Sequence, residues 1–144
     1  MSLKDGTKKM SKSELSDLSR INLTDEKDQI INKIKKAKTD TLPLPSNVDE
    51  LNNRPEAKNL IGIYSSLTGL NLETSVKKFS GQNFSEFKEN LSDVIVEKIV
   101  PISSEIKKLL NEKTYLDEIL AEGCKKAEAI SSEKIKKVHE IIGF

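Results

Sequence analysis

The chain has 144 residues, a net charge of +1 and charged side chains at 33% of its positions, so a strongly basic surface over the whole molecule is excluded. Hydrophobic residues make up only 35% and aromatic residues 4%, which favours helices with one buried face over a thick β-sandwich or barrel. No apolar run approaches the length of a membrane span and the N-terminus has no signal core, so we expect a cytoplasmic protein.

Residues 1–23 lack sustained helical periodicity, and we expect an irregular arm. The arm contains Lys9-Met10-Ser11-Lys12-Ser13. Lysine supplies a mobile point charge with three donors, and serine hydroxyls and backbone N–H groups can bond phosphate oxygens. The segment is therefore a candidate triphosphate-binding loop. The alternative is a solvated basic tail, since charge runs near a terminus are more often solvated than functional.

The first helix is expected to begin near Thr24 or Asp25, both good N-caps. Lys33 and Lys36 fall on the face opposite its apolar stripe, and Lys38 flanks them. This lysine ridge fits contact with RNA phosphates, and it equally fits an ordinary solvated face. The apolar stripe consists of Ile30, Ile31, Ile34 and Ala37.

A break over residues 39–54 follows, because Pro43 and Pro45 block a helix. The next helix is expected to start at Pro55, a residue suited to the first helical position, and to end at Gly69. The apolar stripe of this helix comprises Ala57, Leu60, Ile61, Tyr64 and Leu67. We expect these residues, Tyr64 included, to belong to the core and not to a catalytic site.

A short helix is expected from Asn71 to about Ser80. The pair Asn83 and Glu86 resembles a capping box that opens a longer helix, which Pro101 must kink or split. The last helix is expected to be capped by Thr114 with Asp117 and to run to about Ile142, with an apolar stripe that includes Leu116, Leu120, Ala127, Ile130 and Val138.

The single cysteine and single histidine give no catalytic or metal-binding pattern. Cys124 lies among small and apolar residues, so we expect an inert core thiol. His139 is expected on the surface, and no neighbouring side chains have metal-ligand spacing.

These elements predict an all-α fold, a helical bundle of four to six helices with an irregular N-terminal arm. Neither a strand pattern nor a Gly-rich phosphate loop is present, so a Rossmann-like catalytic domain is missing from this chain. The expected division is an arm at residues 1–23 and a helical domain at residues 24–144.

Several segments, taken in order, carry a resemblance to a known family: residues 9–13, 19–25, 36–40, 54–61, 87–89, 115–120 and 142–144. They resemble the C-terminal portion of the bacterial and organellar tryptophanyl-tRNA synthetases, which are class I enzymes with a KMSKS signature. The resemblance extends ahead of that signature to residues 1–5. We therefore expect Met1 to be an internal methionine of a longer enzyme.

The resemblance implies a function. Residues 1–23 would be the KMSKS loop and linker of the catalytic domain, and residues 24–144 the helical anticodon-binding domain. The enzyme would join ATP and L-tryptophan to tryptophanyl-adenylate and transfer the tryptophanyl group to tRNA(Trp). Mg²⁺ would accompany ATP, and no tightly bound cofactor or structural metal is implied. The full-length enzyme would be a homodimer that binds neither membrane nor DNA, and this part alone is expected to be inactive.

The resemblance also assigns residues to these steps. Lys12 would be the main pyrophosphate contact, Lys9 would assist electrostatically, and Met10, Ser11 and Ser13 would complete the ATP-binding loop. The resemblance also implies that part of the helical domain contacts tRNA, without identifying the residues. Lys33, Lys36 and Lys38 are candidates for phosphate contact, and Asp40 or the loop at residues 41–54 for base contact. Without its catalytic domain, the arm is expected to be mobile or to borrow contacts from a neighbouring molecule.

One departure from the family pattern is Glu14-Leu15, which stands where Asp-Pro is common and should loosen the exit of the loop. Three alternatives remain. The chain fits a tyrosyl-tRNA synthetase relative, although bacterial members usually carry a further RNA-binding domain. It also fits a stand-alone helical interaction module with a basic tail. A DNA-binding helix-turn-helix protein is disfavoured, since no tight, Gly-containing recognition turn is present.

Overall fold

The computed structural model describes residues 1–143, which contain helices and no strand. Two short 3-10 helices, at Asp17–Ser19 and Asp49–Asn53, accompany five α-helices. The prediction of an all-α fold is therefore confirmed. The α-helices are α1 (Lys27–Lys36), α2 (Pro55–Thr68), α3 (Leu72–Phe79), α4 (Phe84–Asn111) and α5 (Lys113–Ile142).

The chain forms two compact units, of which the first covers residues 1–104 and the second begins at Glu105. The first unit contains the buried core, organised around three aromatic rings. Phe79 makes edge-to-face contacts with Tyr64 and with Phe87, each with ring centroids 4.8 Å apart. Such pairs add to the stabilisation that burial itself provides. Tyr64 is thus a core residue, as predicted.

Local sequence signals set both ends of α2. Pro55 occupies the first helical position after the N-cap Arg54, and Gly69 ends the helix with a φ of 73°, in the left-handed region that glycine tolerates. The next helix, α3, begins after Asn71, whose side chain accepts a hydrogen bond from the Thr74 N–H at 2.8 Å. These boundaries agree with the sequence predictions.

Two helices begin close to the predicted positions, but their predicted N-caps are wrong. Helix α1 begins after Glu26, whose N–H donates to Gln29 Oε1 at 2.8 Å in a capping box, because the carboxylate of Asp25 is used in a buried ion pair. Helix α5 begins at Lys113, so its N-cap is Glu112 and not Thr114. Pro101 lies inside α4, which continues through it, so the predicted split does not occur.

Helix α5 differs from the others because none of its described residues is buried. Cys124 is exposed, so the prediction of a core thiol is wrong. The apolar stripe shows which face of a helix is apolar, but it does not show whether another element covers that face. His139 is exposed, as predicted. Among residues 1–143, no helix combines the length and the apolar character that crossing a membrane requires.

The start of the arm packs against the rest of the first unit, in contrast to the expectation that the arm is mobile or takes its contacts from a neighbouring molecule. The Leu3 side chain is buried, the Leu3 N–H donates to Ser19 O, and the Lys38 N–H donates to Leu3 O, both at 2.8 Å. Gly6 packs so closely against α2 that an added Cβ would lie 2.5 Å from Pro55 O. The base of the arm is therefore fixed by backbone contacts.

Candidate phosphate-binding loop and RNA interface

The five residues Lys9–Ser13 lie together in an exposed, irregular loop. Its turn is stabilised locally by the Ser13 N–H, which donates to Ser11 Oγ at 3.2 Å. Within the described residues, neither the Lys9 nor the Lys12 ammonium group has an ion-pair partner. Both cations are therefore available to an anion that approaches the loop.

The side chain of Arg20 lies under this loop and connects its backbone to the helical unit. Its Nη1 donates to Glu14 O at 3.1 Å and, over a longer 3.4 Å, to Ser11 O. Its Nη2 lies 3.1 Å from Asp17 Oδ1, and its Nε donates to Asn22 Oδ1 at 3.3 Å. The guanidinium group thus bonds to the backbone of the loop on one side and to the side chains of Asp17 and Asn22 on the other.

The connection continues into α1 through Lys33. The Lys33 Nζ lies 2.5 Å from Asp17 Oδ2 and 2.7 Å from Asp25 Oδ2. The hydrogen bonds from Lys33 and then Asn22 lower the pKa of the Asp17 carboxyl, against a smaller opposing effect of burial. Asp25 also accepts a hydrogen bond from the Asn22 N–H at 2.8 Å. This network could not be predicted from the sequence, because its members come from separate segments.

The structure changes the interpretation of the predicted lysine ridge. Lys33 is buried, so its placement on the solvated face of α1 is wrong, and its ammonium group is already paired with two carboxylates. Lys36 is exposed and has no ion pair among the described residues. Lys38 is exposed and lies 2.8 Å from Glu56 Oε1; the hydrogen bond to Glu56 raises the pKa of Lys38. Of the three lysines predicted to contact phosphates, Lys36 and Lys38 present their charge at the surface and Lys33 does not.

Asp40 is held by Arg54 at the start of the loop between α1 and α2. Arg54 donates from Nη2 to Asp40 Oδ1 at 2.6 Å and from Nε to Asp40 Oδ2 at 3.0 Å. Burial by itself would raise the pKa of the Asp40 carboxyl, but the hydrogen bonds from Arg54 and the Leu42 N–H lower it overall. The Arg54 Nη1 also donates to Pro43 O at 2.6 Å. Arg54 therefore fixes the shape of this loop.

An apolar groove of about 700 Å³ borders the Lys9–Ser13 loop within the first unit. The groove could not be predicted from the sequence, since its lining comes from the arm, α2 and α4. The lining includes Met10, Ile21, Ile63, Leu67, Ile95 and Ile99.

Among residues 1–143, no group of three or more His, Cys, Asp or Glu side chains is arranged to hold a metal ion.

The combination of a Lys-Met-Ser-Lys-Ser loop with a helical unit defines the class of the protein. The family model described as "tRNA synthetases class I (W and Y)" matches residues 1–100, so the chain belongs to this family. The match includes the loop, Arg20 and the ion pairs that connect it to α1.

The curated relatives are more specific. The chain is 50% identical, over all 144 residues, to the tryptophan–tRNA ligases of Mesorhizobium japonicum and Agrobacterium fabrum, and covers 41% of each. It is 48% identical to the tryptophan–tRNA ligase of Rickettsia conorii, of which it covers 43%. The chain thus spans about two-fifths of the length of these relatives. The recognition of a synthetase of the tryptophanyl type is confirmed at the level of similarity.

Proposed function

We propose that this chain is the C-terminal part of a tryptophan–tRNA ligase, supplying the ATP and pyrophosphate loop together with a surface for tRNA. The observation that carries the proposal is the exposed Lys9–Ser13 loop with two unpaired lysines, in a chain whose full length aligns with tryptophan–tRNA ligases. Residues 1–23 would belong functionally to the catalytic domain, and residues 24–144 to the tRNA-binding domain.

The first step would be attack of the tryptophan carboxylate on the α-phosphate of ATP. A bond between the carboxylate oxygen and the α-phosphorus would form as the bond between that phosphorus and pyrophosphate breaks. Negative charge would build on the leaving pyrophosphate. Positioned cations accelerate such a step by stabilising that charge, and a mobile loop can deliver them when it closes. Lys12 would contact the pyrophosphate, Lys9 would assist, and Ser11, Ser13 and the Met10 backbone would bond phosphate oxygens. Mg²⁺ would arrive on the ATP phosphates, as it commonly does in nucleotide enzymes.

The second step would transfer the tryptophanyl group to tRNA(Trp). Lys36 and Lys38 are proposed as phosphate contacts, because their charges lie at the surface. Asp40, held by Arg54, is proposed as a base contact.

We further propose that the full-length protein is a cytoplasmic homodimer.

The proposal is tested by ATP–pyrophosphate exchange with the full-length product of the parent gene. Exchange that depends on tryptophan, with tyrosine as the control amino acid, is the expected result. Exchange driven by tyrosine would assign the chain to the sister enzyme. Absence of exchange with either amino acid would contradict the ligase proposal.

A further inference from the structure

Arg20 makes two contacts with the backbone of the phosphate-binding loop, and they differ in strength. The 3.1 Å contact between Nη1 and Glu14 O is an ordinary hydrogen bond, whereas the 3.4 Å contact with Ser11 O is long and weak. Arg20 thus fixes the end of the loop firmly and its centre loosely. A loop held in this way can close on a ligand by moving its centre about a fixed end, for which we use the word hinge.

Arg20 is itself held by a chain of charged groups that ends in the folded unit. Asp17 bridges Arg20 and Lys33 with its two carboxylate oxygens, at 3.1 Å and 2.5 Å. Lys33 and Asp25 are almost fully buried, at 4% exposure each. Buried, paired side chains have little rotational freedom, so Lys33 and Asp25 form a fixed anchor to which Asp17 connects Arg20.

We propose that Arg20 is a positioning residue, which holds the hinge of the Lys9–Ser13 loop so that Lys12 reaches the nucleotide phosphates when the loop closes. This proposal rests on the proposed function, because it concerns the same adenylation step. Each of the three guanidinium nitrogens bonds to a protein atom, and Nη1 bonds to the loop backbone, so the role assigned to Arg20 is exerted through that backbone.

The residue after Glu14, at the hinge of the loop, explains why the hydrogen bond from Arg20 is needed here. Leu15 is fully exposed, and its N–H makes no hydrogen bond among the described residues. A proline at such a position would restrict φ without external support, but leucine does not. The contact between Arg20 and Glu14 O therefore supplies a constraint that the local sequence lacks.

The test is made in the full-length enzyme, with the tryptophan-dependent exchange of the wild type measured first. A wild type without exchange would count against the ligase function, and not against the role of Arg20. In Arg20→Gln we expect the pre-steady-state adenylation rate at saturating ATP to fall at least about tenfold, since small misplacements of catalytic groups cost this much or more. The Kd for tryptophan should stay within about twofold. An adenylation rate within twofold of wild type would overturn the proposal.

Lys88→Gln is the matched control. The Lys88 Nζ also bonds two backbone carbonyls, Ala37 O at 2.7 Å and Lys35 O at 3.1 Å, but none in the phosphate-binding loop. This variant should lower the melting temperature and leave the adenylation rate unchanged. Equal losses of rate in both variants would show a general loss of stability, which would overturn the assigned role.

Arg20→Lys separates positioning from charge. Lysine retains the charge but lacks the planar fork that reaches the loop and Asp17 together, so its rate should be as low as that of Arg20→Gln. Full recovery with lysine would show that only the charge matters and would overturn the proposal. Should Arg20→Gln not fold, Asp17→Asn weakens the same connection. Its rate should fall in the same direction, and an unchanged rate would overturn the proposal.

Discussion

The Nζ of Lys33 lies 2.7 Å from Oδ2 of Asp25, and both charged side chains are buried in the first unit. Burial of a charge is unfavourable unless the group is paired and hydrogen-bonded. Asp17 supplies a second carboxylate to Lys33, and Asn22 supplies two donors to Asp25. The cluster is stable because each charge has partners. Removing one partner would leave a buried charge unpaired and would destabilise the fold.

Lys33→Met should destabilise the 144-residue chain by about 3 kcal/mol, because it leaves Asp25 buried without its counter-charge. The free energy of unfolding in urea measures this effect. Lys36→Met is the matched control on the exposed face of α1, and its change should stay within about 0.5 kcal/mol. Similar values for the two variants would contradict the buried pair.

Lys12→Ala in the full-length enzyme should lower the adenylation rate by about 10²- to 10³-fold, the usual effect of removing one electrostatic stabiliser of a transition state. Tryptophan binding should change less than twofold, since the lost contact concerns the leaving group. Rapid-quench measurement of adenylate formation gives the rate. Lys8→Ala, which removes an exposed neighbouring cation paired with Asp5, should retain the wild-type rate. Loss of activity in both variants would indicate that only the total charge matters.

The ion pair between Asp40 and Arg54 predicts a pH dependence of stability. Because the pKa of Asp40 is lowered in the folded state, its contribution is fully present above the unfolded pKa of about 4 and is lost as the pH falls through the folded value. Between pH 5 and pH 3, Asp40→Asn should therefore lose less stability than the wild type in urea unfolding. Arg54→Gln should remove the same part of the pH dependence, and the double variant should remove no more. Additive effects would show that the two residues do not act as a pair.

Binding of tRNA by the full-length enzyme should weaken as salt rises, because phosphate contacts release counterions. Lys36→Gln should reduce the slope of log K against log salt concentration by about one, as expected for one lost phosphate contact. Lys77→Gln is the control, since Lys77 is exposed on α3 and paired with Glu73. Filter binding over a salt series measures both slopes. An unchanged slope in Lys36→Gln would contradict this contact.

Local signals in the sequence were sufficient for some elements and not for others. Pro55 and Gly69 act on their own backbone, so the ends of α2 could be predicted. The burial of Lys33 could not, because the helical stripe identifies neighbours along one helix and not the carboxylate that Asp17 brings from another segment. Similarly, the loop Lys9–Ser13 was evident from its residue types, whereas its support by Arg20 depends on the tertiary fold.

The close approach of Gly6 to Pro55 makes the position of the arm depend on the absence of a side chain at residue 6. The contact is between two backbones, so no change of rotamer can make room for a methyl group. Gly6→Ala would have to lift the arm away from the start of α2, three residues before the loop begins. Such a substitution is a candidate heat-sensitive allele, since it would displace the loop by geometry without removing any charged or polar side chain.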